Sequence, residues 1–457
     1  MPEITHDNAR RELAVLFSAA TDAVEQRLQS LDIPLTAAAY QLVVERDRKN
    51  PDAWQSSSRI IQRSILSNQV YSLHQIAPLL TAEVVALVSQ CAEHLIGLAD
   101  ANLPFFCPIP GGGWFLTGEM GDGGTYEVGE AKWVASHLLL PALYVHLGQL
   151  SGFDRADDTA ARFAEDVLTF LRAPDLTYHV TIPLAGLDIA GSRDKITAPD
   201  VTVFRLTSEA QGDLMDEWGM NNFTGRNAFT SLPLVALRLV VSTPRTAQNP
   251  LTQSLVAKWL CALQLHGYAL AGINALTEGY PSWVSPGKGF APINLPARTR
   301  KWSTVSPASL DRVAKTVRQL TSYNINGPRS AHDLALHRFS AGAARESAAD
   351  AIVDFVIALE SLLLPAGIGH GDLSYRFHVH GAHYLAKTKS ERTAIAEKLT
   401  DLYRLRSRLV HGGKYPAAAD VESARVIAED FARQGLLKAV TNEFPTANDF
   451  RSLALGV

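Results

Sequence analysis

Between Leu402 and Gly413 the chain reads Leu-Tyr-Arg-Leu-Arg-Ser-Arg-Leu-Val-His-Gly-Gly, so Arg404, Arg406, Arg408 and His411 crowd into one short segment. Histidine can take and give a proton near neutrality, because its ordinary pKa of ~6.5 leaves both forms populated. Arginine keeps its charge and offers a planar fork that grips phosphate oxygens in pairs. These side chains suit acid–base chemistry beside a phosphate. Such chemistry needs a base, an acid and cations that hold the phosphate. One Arg–His pair is thin for all of these tasks.

The segment must be positioned by a helix. At ~100° per residue, Leu402, Leu405 and Leu409 share one face. Arg406 falls beside that apolar stripe, whereas Arg404, Arg408 and His411 fall roughly opposite it. Gly412-Gly413 is a strong helix stop and leaves His411 in the last turn or just past it. Two arrangements stay open. A frayed end swings His411 back toward Arg406; a continuous helix keeps the two apart. A plainer reading is a solvated helix end, since basic residues favour helix C-termini through the macrodipole.

Glu360 is the acid expected to pair with this constellation. It sits inside the apolar run Val356–Leu364, where a free carboxylate is costly to bury. Arg406 or Arg376 from a neighbouring helix would relieve it. The alternative role for such a pair is only to fix helix register. A rival chemistry lies in His370, His378, His380 and His383, of which His380 and His383 share a helical face and allow a metal site. Asp372 is close by, but no H-E-x-x-H pattern is present. Core or surface histidines are the better reading.

The segment resembles a known family. Arg406-Ser407 followed by His411-Gly412 looks like the R-x4-6-H signature of HEPN domains, and the wording LYRLRSRLVHGG is closest to the Apea-like branch. Upstream, Asp350–Leu363 resembles that branch's helix ending in LEsLL, and Leu373-Ser374-Tyr375-Arg376 resembles the start of its next helix. The resemblance covers about residues 330–440. It implies an endoribonuclease or RNA-binding protein, of a toxin or defence type, that uses neither metal nor cofactor. It also implies a homodimer that brings two motifs across one cleft. His411 would then be the acid/base, and Arg406 would bind phosphate or orient the site with Glu360. Arg404, Ser407, Arg408 and Lys414 would contact substrate or add positive potential. Ser407 fills a position where the family often carries Asn, Asp or His. The competing readings are a non-catalytic nucleotide-binding or dimerisation module, and a metal-dependent hydrolase built on the His370–His383 cluster.

The rest of the chain narrows the setting. Its 457 residues allow two or three packed domains, and 47% hydrophobic with 19% charged residues describe an ordinary globular protein. A net charge of −4 means that any nucleic-acid surface must be local. Cys91, Cys107 and Cys261 lie far apart and fit buried thiols in a reducing compartment. The N-terminus lacks the features of a signal peptide. The apolar runs Leu138–Leu150 and Ile352–Leu364 are too short and polar to span a bilayer. A cytoplasmic protein is expected.

Along the chain, residues 7–50 predict helices, and another helical run continues to about Asp100. GGGWFLTGEMGDGG, within the Pro/Gly-rich Leu103–Gly129, lacks the Lys-Ser/Thr of a phosphate loop and predicts a plain loop around Trp114. Trp133–Leu150 and Thr159–Leu171 predict helices. Period-two patterning at Tyr178–Leu184 and Val201–Thr207 predicts strands, and Leu232–Val241 is a third candidate whose leucines allow helix as well. Gln253–Leu276 predicts a helix, followed by a connector that carries Trp283 and then Arg298, Arg300 and Lys301. Six further helices are expected from Ser309 to Lys438. The fold class is therefore mainly α, or α+β overall. A C-terminal helical bundle (309–445) packs on a larger region made of a mostly helical part (1–175), a small β-rich segment (176–250) and a helix with its connector (251–308).

Overall fold

The computed structural model describes residues 6–32, 36–46, 54–64, 81–99, 117–119, 125–127, 139, 142–143, 159–172, 175–217, 233–244, 252–272, 274–280, 289–293, 295–296, 299–320, 330–365, 372–412 and 417–455. The loop reading at Leu103–Gly129 with Trp114, Cys107, most of the Trp133–Leu150 helix, Trp283, Arg298, His370 and Lys414 lie outside the described residues. The fold is mainly helical with an antiparallel sheet, as the patterning implies.

In the N-terminal region, His6–Ser30 (α1) buries Leu13, Leu16, Phe17 and Val24. It packs on Ala82–Ala99 (α2) and Thr159–Arg172 (α3), where Phe17 meets Phe163 edge-on at 5.0 Å. The helices expected between 36 and 64 are instead strands: Thr36–Arg46 (β1) and Trp54–Ser64 (β2) pair antiparallel from Thr36↔Ser64 to Arg46↔Trp54. Ala37-Ala38-Ala39 favours helix locally, but Tyr40, Val43 and Val44 suit a strand, and cross-strand pairing overrides propensity. Arg59 donates Nε and Nη2 to Gln41 Oε1 directly across the ladder (2.9 and 2.7 Å). Its Nη1 reaches Glu209 at 3.3 Å. A short pair, Thr117–Glu119 (β3) with Thr125–Glu127 (β4), follows.

The period-two stretches do form the sheet. Its members are Asp175–Leu184 (β5), Lys195–Ala198 (β7), Val201–Arg205 (β8), Val235–Pro244 (β9), Asn274–Tyr280 (β10) and Gly289–Pro292 (β11). They run in the order β11-β10-β5-β9-β8-β7 and every neighbouring pair is antiparallel. Leu187–Ile189 (β6) pairs parallel with Ser303–Val305 (β12). Ser208–Glu217 (α4) packs on β1.

Thr252–Leu265 (α5) ends eleven residues before the expected Leu276. The cause is Gly267, at φ 86°. Its N–H donates to the Gln264 carbonyl at 2.9 Å and the Tyr268 N–H reaches back to Leu263 at 3.2 Å. This is a Schellman stop, and it releases the chain to enter β10. The apolar residues on both sides of His266-Gly267 hide that stop in a periodicity reading.

The bundle comprises Pro307–Gln319 (α6), Ala331–Ala344 (α7), Ala348–Leu363 (α8), Leu373–Leu385 (α9), Lys389–His411 (α10) and Ala418–Asn442 (α11), then Ala447–Leu455 (α12). Local chemistry sets the starts. Ser306, Ser330, Ser347, Asp372 and Thr388 each cap an N-terminus by accepting a backbone N–H. α8 is the central helix: it packs on α7, α9, α10 and α11 and buries Phe355, Leu359, Leu362 and Leu363. α5 packs on α6, α7 and α11, so the sheet-bearing body and the bundle share one hydrophobic core. α12 was not expected from the sequence; its Phe450 is buried and stacks on His380 at 4.5 Å.

Two acids, Asp333 and Asp354, are buried in the bundle. Asp354 on α8, 2% exposed, accepts from Arg338 Nη1 and Arg345 Nε at 2.9 Å each. The pair of bonds ties the end of α7 to α8. Asp354→Ala should cost about 2–3 kcal/mol in urea unfolding, because two charge-assisted bonds are lost while both half-exposed arginines can rehydrate. The Arg338→Ala/Arg345→Ala double variant should cost more, about 3–5 kcal/mol, since it strands the buried carboxylate. A near-neutral Asp354→Ala would show that the carboxylate is not what joins the two helices.

Candidate functional site

α10 begins with a reciprocal capping box. The Glu391 N–H donates to Thr388 Oγ1 (3.3 Å), and Glu391 Oε2 accepts from the Thr388 N–H (3.1 Å). From there the helix runs unbroken through His411 and stops at Gly412, whose φ of 83° lies in the left-handed region. Of the two arrangements open in the sequence, the continuous helix is the one present. Five residues at 100° each put His411 about 140° around the helix from Arg406.

Burial follows that geometry. Leu399, Leu402 and Leu405 are buried, while Arg404, Arg408 and His411 are exposed. Arg406 and Ser407 are half-buried. Arg406 turns inward to Glu360 on α8, with Nη2 3.8 Å from Oε2 and both side chains mostly covered. At that separation the pair is an ion contact rather than a hydrogen bond. Arg406 Nε is buried with no hydrogen-bond partner among the described residues. Burial pushes the Glu360 carboxyl above the usual carboxylate range, and the Arg406 charge pulls the other way without cancelling it. Of the two arginines considered for Glu360, Arg406 is the one in contact.

The neighbouring helix frames the exposed face. Phe377 on α9 meets Tyr403 on α10 with ring centroids 5.4 Å apart, and Gly381 abuts Leu399. The paired positions run in opposite senses, so the two helices are antiparallel. Glycine at 381 allows this close approach, since an added Cβ would force the Leu399 methyl aside. The start of α9 therefore lies at the same end of the bundle as the C-terminus of α10. Leu373 and Tyr375 on α9 and Val410 on α10 are large side chains left about half exposed at that end. No periodic signal in the sequence marks them, because Leu373 and Tyr375 are two apart and lie on different faces of α9.

Two histidines of α9, His378 and His380, make packing contacts. His380 Nδ1–H donates to the Leu363 carbonyl (2.8 Å), and its ring lies nearly parallel to Phe450. Burial holds its pKa below the usual histidine range, with Arg376 and His383 adding to the effect. His378 meets the Tyr375 ring edge-on at 5.4 Å. Among the described residues no group of three or more His, Cys, Asp or Glu side chains could hold a metal ion. Nor is any described helix long and apolar enough to cross a membrane.

The Glu360 shift carries a pH signature. A carboxyl whose folded pKa is raised binds more protons folded than unfolded, so it stabilises below its unfolded pKa of ~4.3 and that contribution is lost as pH rises through the folded value. Glu360→Gln cannot ionise. Its melting temperature relative to wild type should therefore be more favourable at pH 7 than at pH 4. An unchanged difference across that window would mean that Glu360 is not held protonation-biased by burial.

No family model, curated protein or solved structure matches the chain.

Proposed function

We propose that the C-terminal bundle is a HEPN-type RNA-binding domain that cleaves RNA without a metal when two copies join as a homodimer. The observation that supports this most is the exposed face of α10. It presents Arg404, Arg408 and His411 together at the end of a helix whose opposite face is buried. Arg404 and Arg408 are free to meet phosphates, with Lys414 beyond Gly412 in sequence to add charge. His411 exchanges the proton of the 2′-hydroxyl. Arg406 and Glu360 hold the helix against α8 and thereby position that face, and Ser407 lies between the two sets. One protomer offers one histidine, whereas the reaction needs a base and an acid. A second copy, docked at the end of the bundle where Val410 is exposed, supplies the other. The setting is the cytoplasm, in a toxin or defence role.

The inward turn of Arg406 favours a second reading. If the Arg406–Glu360 contact serves only helix packing, the bundle binds nucleotide or dimerises without cleaving. The metal-hydrolase reading receives the least support, because His380 is already bonded and stacked.

Cleavage of single-stranded RNA, with and without excess EDTA, separates the three. The proposal expects chelator-resistant cleavage that leaves a cyclic phosphate, no reaction with an all-deoxy substrate, and a loss of ~10²–10⁴-fold in His411→Ala. Sedimentation should show a dimer. Cleavage abolished by EDTA, or unaffected by His411→Ala, would overturn it, and binding without cleavage in wild type would select the non-catalytic module.

A further inference from the structure

A small polar cavity lies where the sheet-bearing body meets the bundle, and we infer that it is a binding site for one structural water molecule linking the two. The cavity is lined by Gln264 and Tyr268 from the end of α5, Pro296 and Arg300 from the connector, Ala343 from α7 and Glu429 from α11. It therefore draws on both parts of the protein.

Its polar groups are unevenly satisfied. Arg300 donates Nη2 to the Ala343 carbonyl at 2.6 Å and places Nη1 3.5 Å from Glu429 Oε2. Glu429 also accepts from Arg425 Nη1 at 3.1 Å. Gln264 is different: its side chain is 6% exposed, and Oε1 is sealed from solvent with no hydrogen-bond partner among the described residues. Buried amide oxygens are almost always given a donor. A ligand here must bring an N–H or O–H to Gln264 and must tolerate Arg300 and Glu429 on the other walls.

Size and charge then select the ligand. The cavity offers about 10 Å³ to the centre of a water molecule, close to the least that one water needs and too little for an organic molecule or a hydrated ion. Arg300 and Arg425 are offset by Glu429 and Glu422, the latter bonded to Arg425 Nε at 2.9 Å, so no net charge recruits an anion. Water alone both donates and accepts at this scale. Donating to Gln264 Oε1 and bonding to the Arg300–Glu429 pair, it connects α5 to the bundle through groups that make no direct bond to each other.

Thermal unfolding of the full chain tests this through the sign of one substitution. Gln264→Met keeps the volume and removes the amide. With a bridging water, it should lower the melting temperature by roughly 2 °C, and the Gln264→Met/Arg300→Met double variant should lose less than the sum of the singles, because either change alone breaks the bridge. A melting temperature that stays or rises in Gln264→Met means a dry, orphaned oxygen, and strict additivity means no bridge; either result overturns the inference. Should Gln264→Met fail to fold, an atomic-resolution crystal map of the wild-type protein decides. A density peak within ~3.2 Å of Gln264 Oε1 upholds the water, and its absence defeats it.

Discussion

A rigid helix cannot bring residues five apart onto one face, and α10 stays helical through His411 until Gly412 turns the chain at positive φ. Most of the site's organisation depends on that constraint. It divides the basic residues into two sets with different surroundings. Arg404, Arg408 and His411 face solvent, where the two guanidinium charges keep their hydration. Arg406 faces α8, where it needs a counter-charge and finds Glu360. The macrodipole favours the crowding of arginines at a helix C-terminus.

The bundle is built to keep that helix in place. The capping box at Thr388 and Glu391 fixes the start of α10, and the close approach at Gly381 seats α9 alongside it. Two acids of α8, the buried Asp354 and the partly covered Glu360, do different work. Asp354 is saturated by two arginines and locks α7 to α8, whereas Glu360 meets a single guanidinium at ion-contact distance. Of the two, Glu360 is the less constrained and the nearer to the exposed basic face. α6 packs on β7, and Arg300 reaches across to the Ala343 carbonyl, so the two parts share a core rather than a tether.

The bundle was legible because its helices carry their own signals. Serine, aspartate or threonine caps precede apolar runs of helical period, and the expected starts and ends of α8, α9 and α10 fall within a few residues of those observed. The strands at Tyr178 and Val201 were legible from alternation. The β1–β2 hairpin was not, because an alanine run reads locally as helix and only the partner strand makes it a sheet. The stop at Gly267 was hidden among apolar residues, and α12 is too short to show a period. In the site, the residue types marked Glu360 for an arginine, Arg406 or Arg376, and only the packing of α10 on α8 selects Arg406. Whether His411 joined them could not be read from spacing alone, because that depends on how the last turn ends.

The face proposed to bind RNA is tested most directly by the salt dependence of binding. The affinity of a single-stranded RNA oligonucleotide is measured across a series of salt concentrations for wild type, Arg404→Ala/Arg408→Ala and Arg406→Ala. Each lost phosphate contact should reduce the slope of log K against log salt by about 0.7. The account predicts a slope shallower by roughly 1.4 in the double variant and one close to wild type in Arg406→Ala. An unchanged slope in the double variant, with the loss appearing in Arg406→Ala instead, would contradict it and place the phosphate on the inward face of α10.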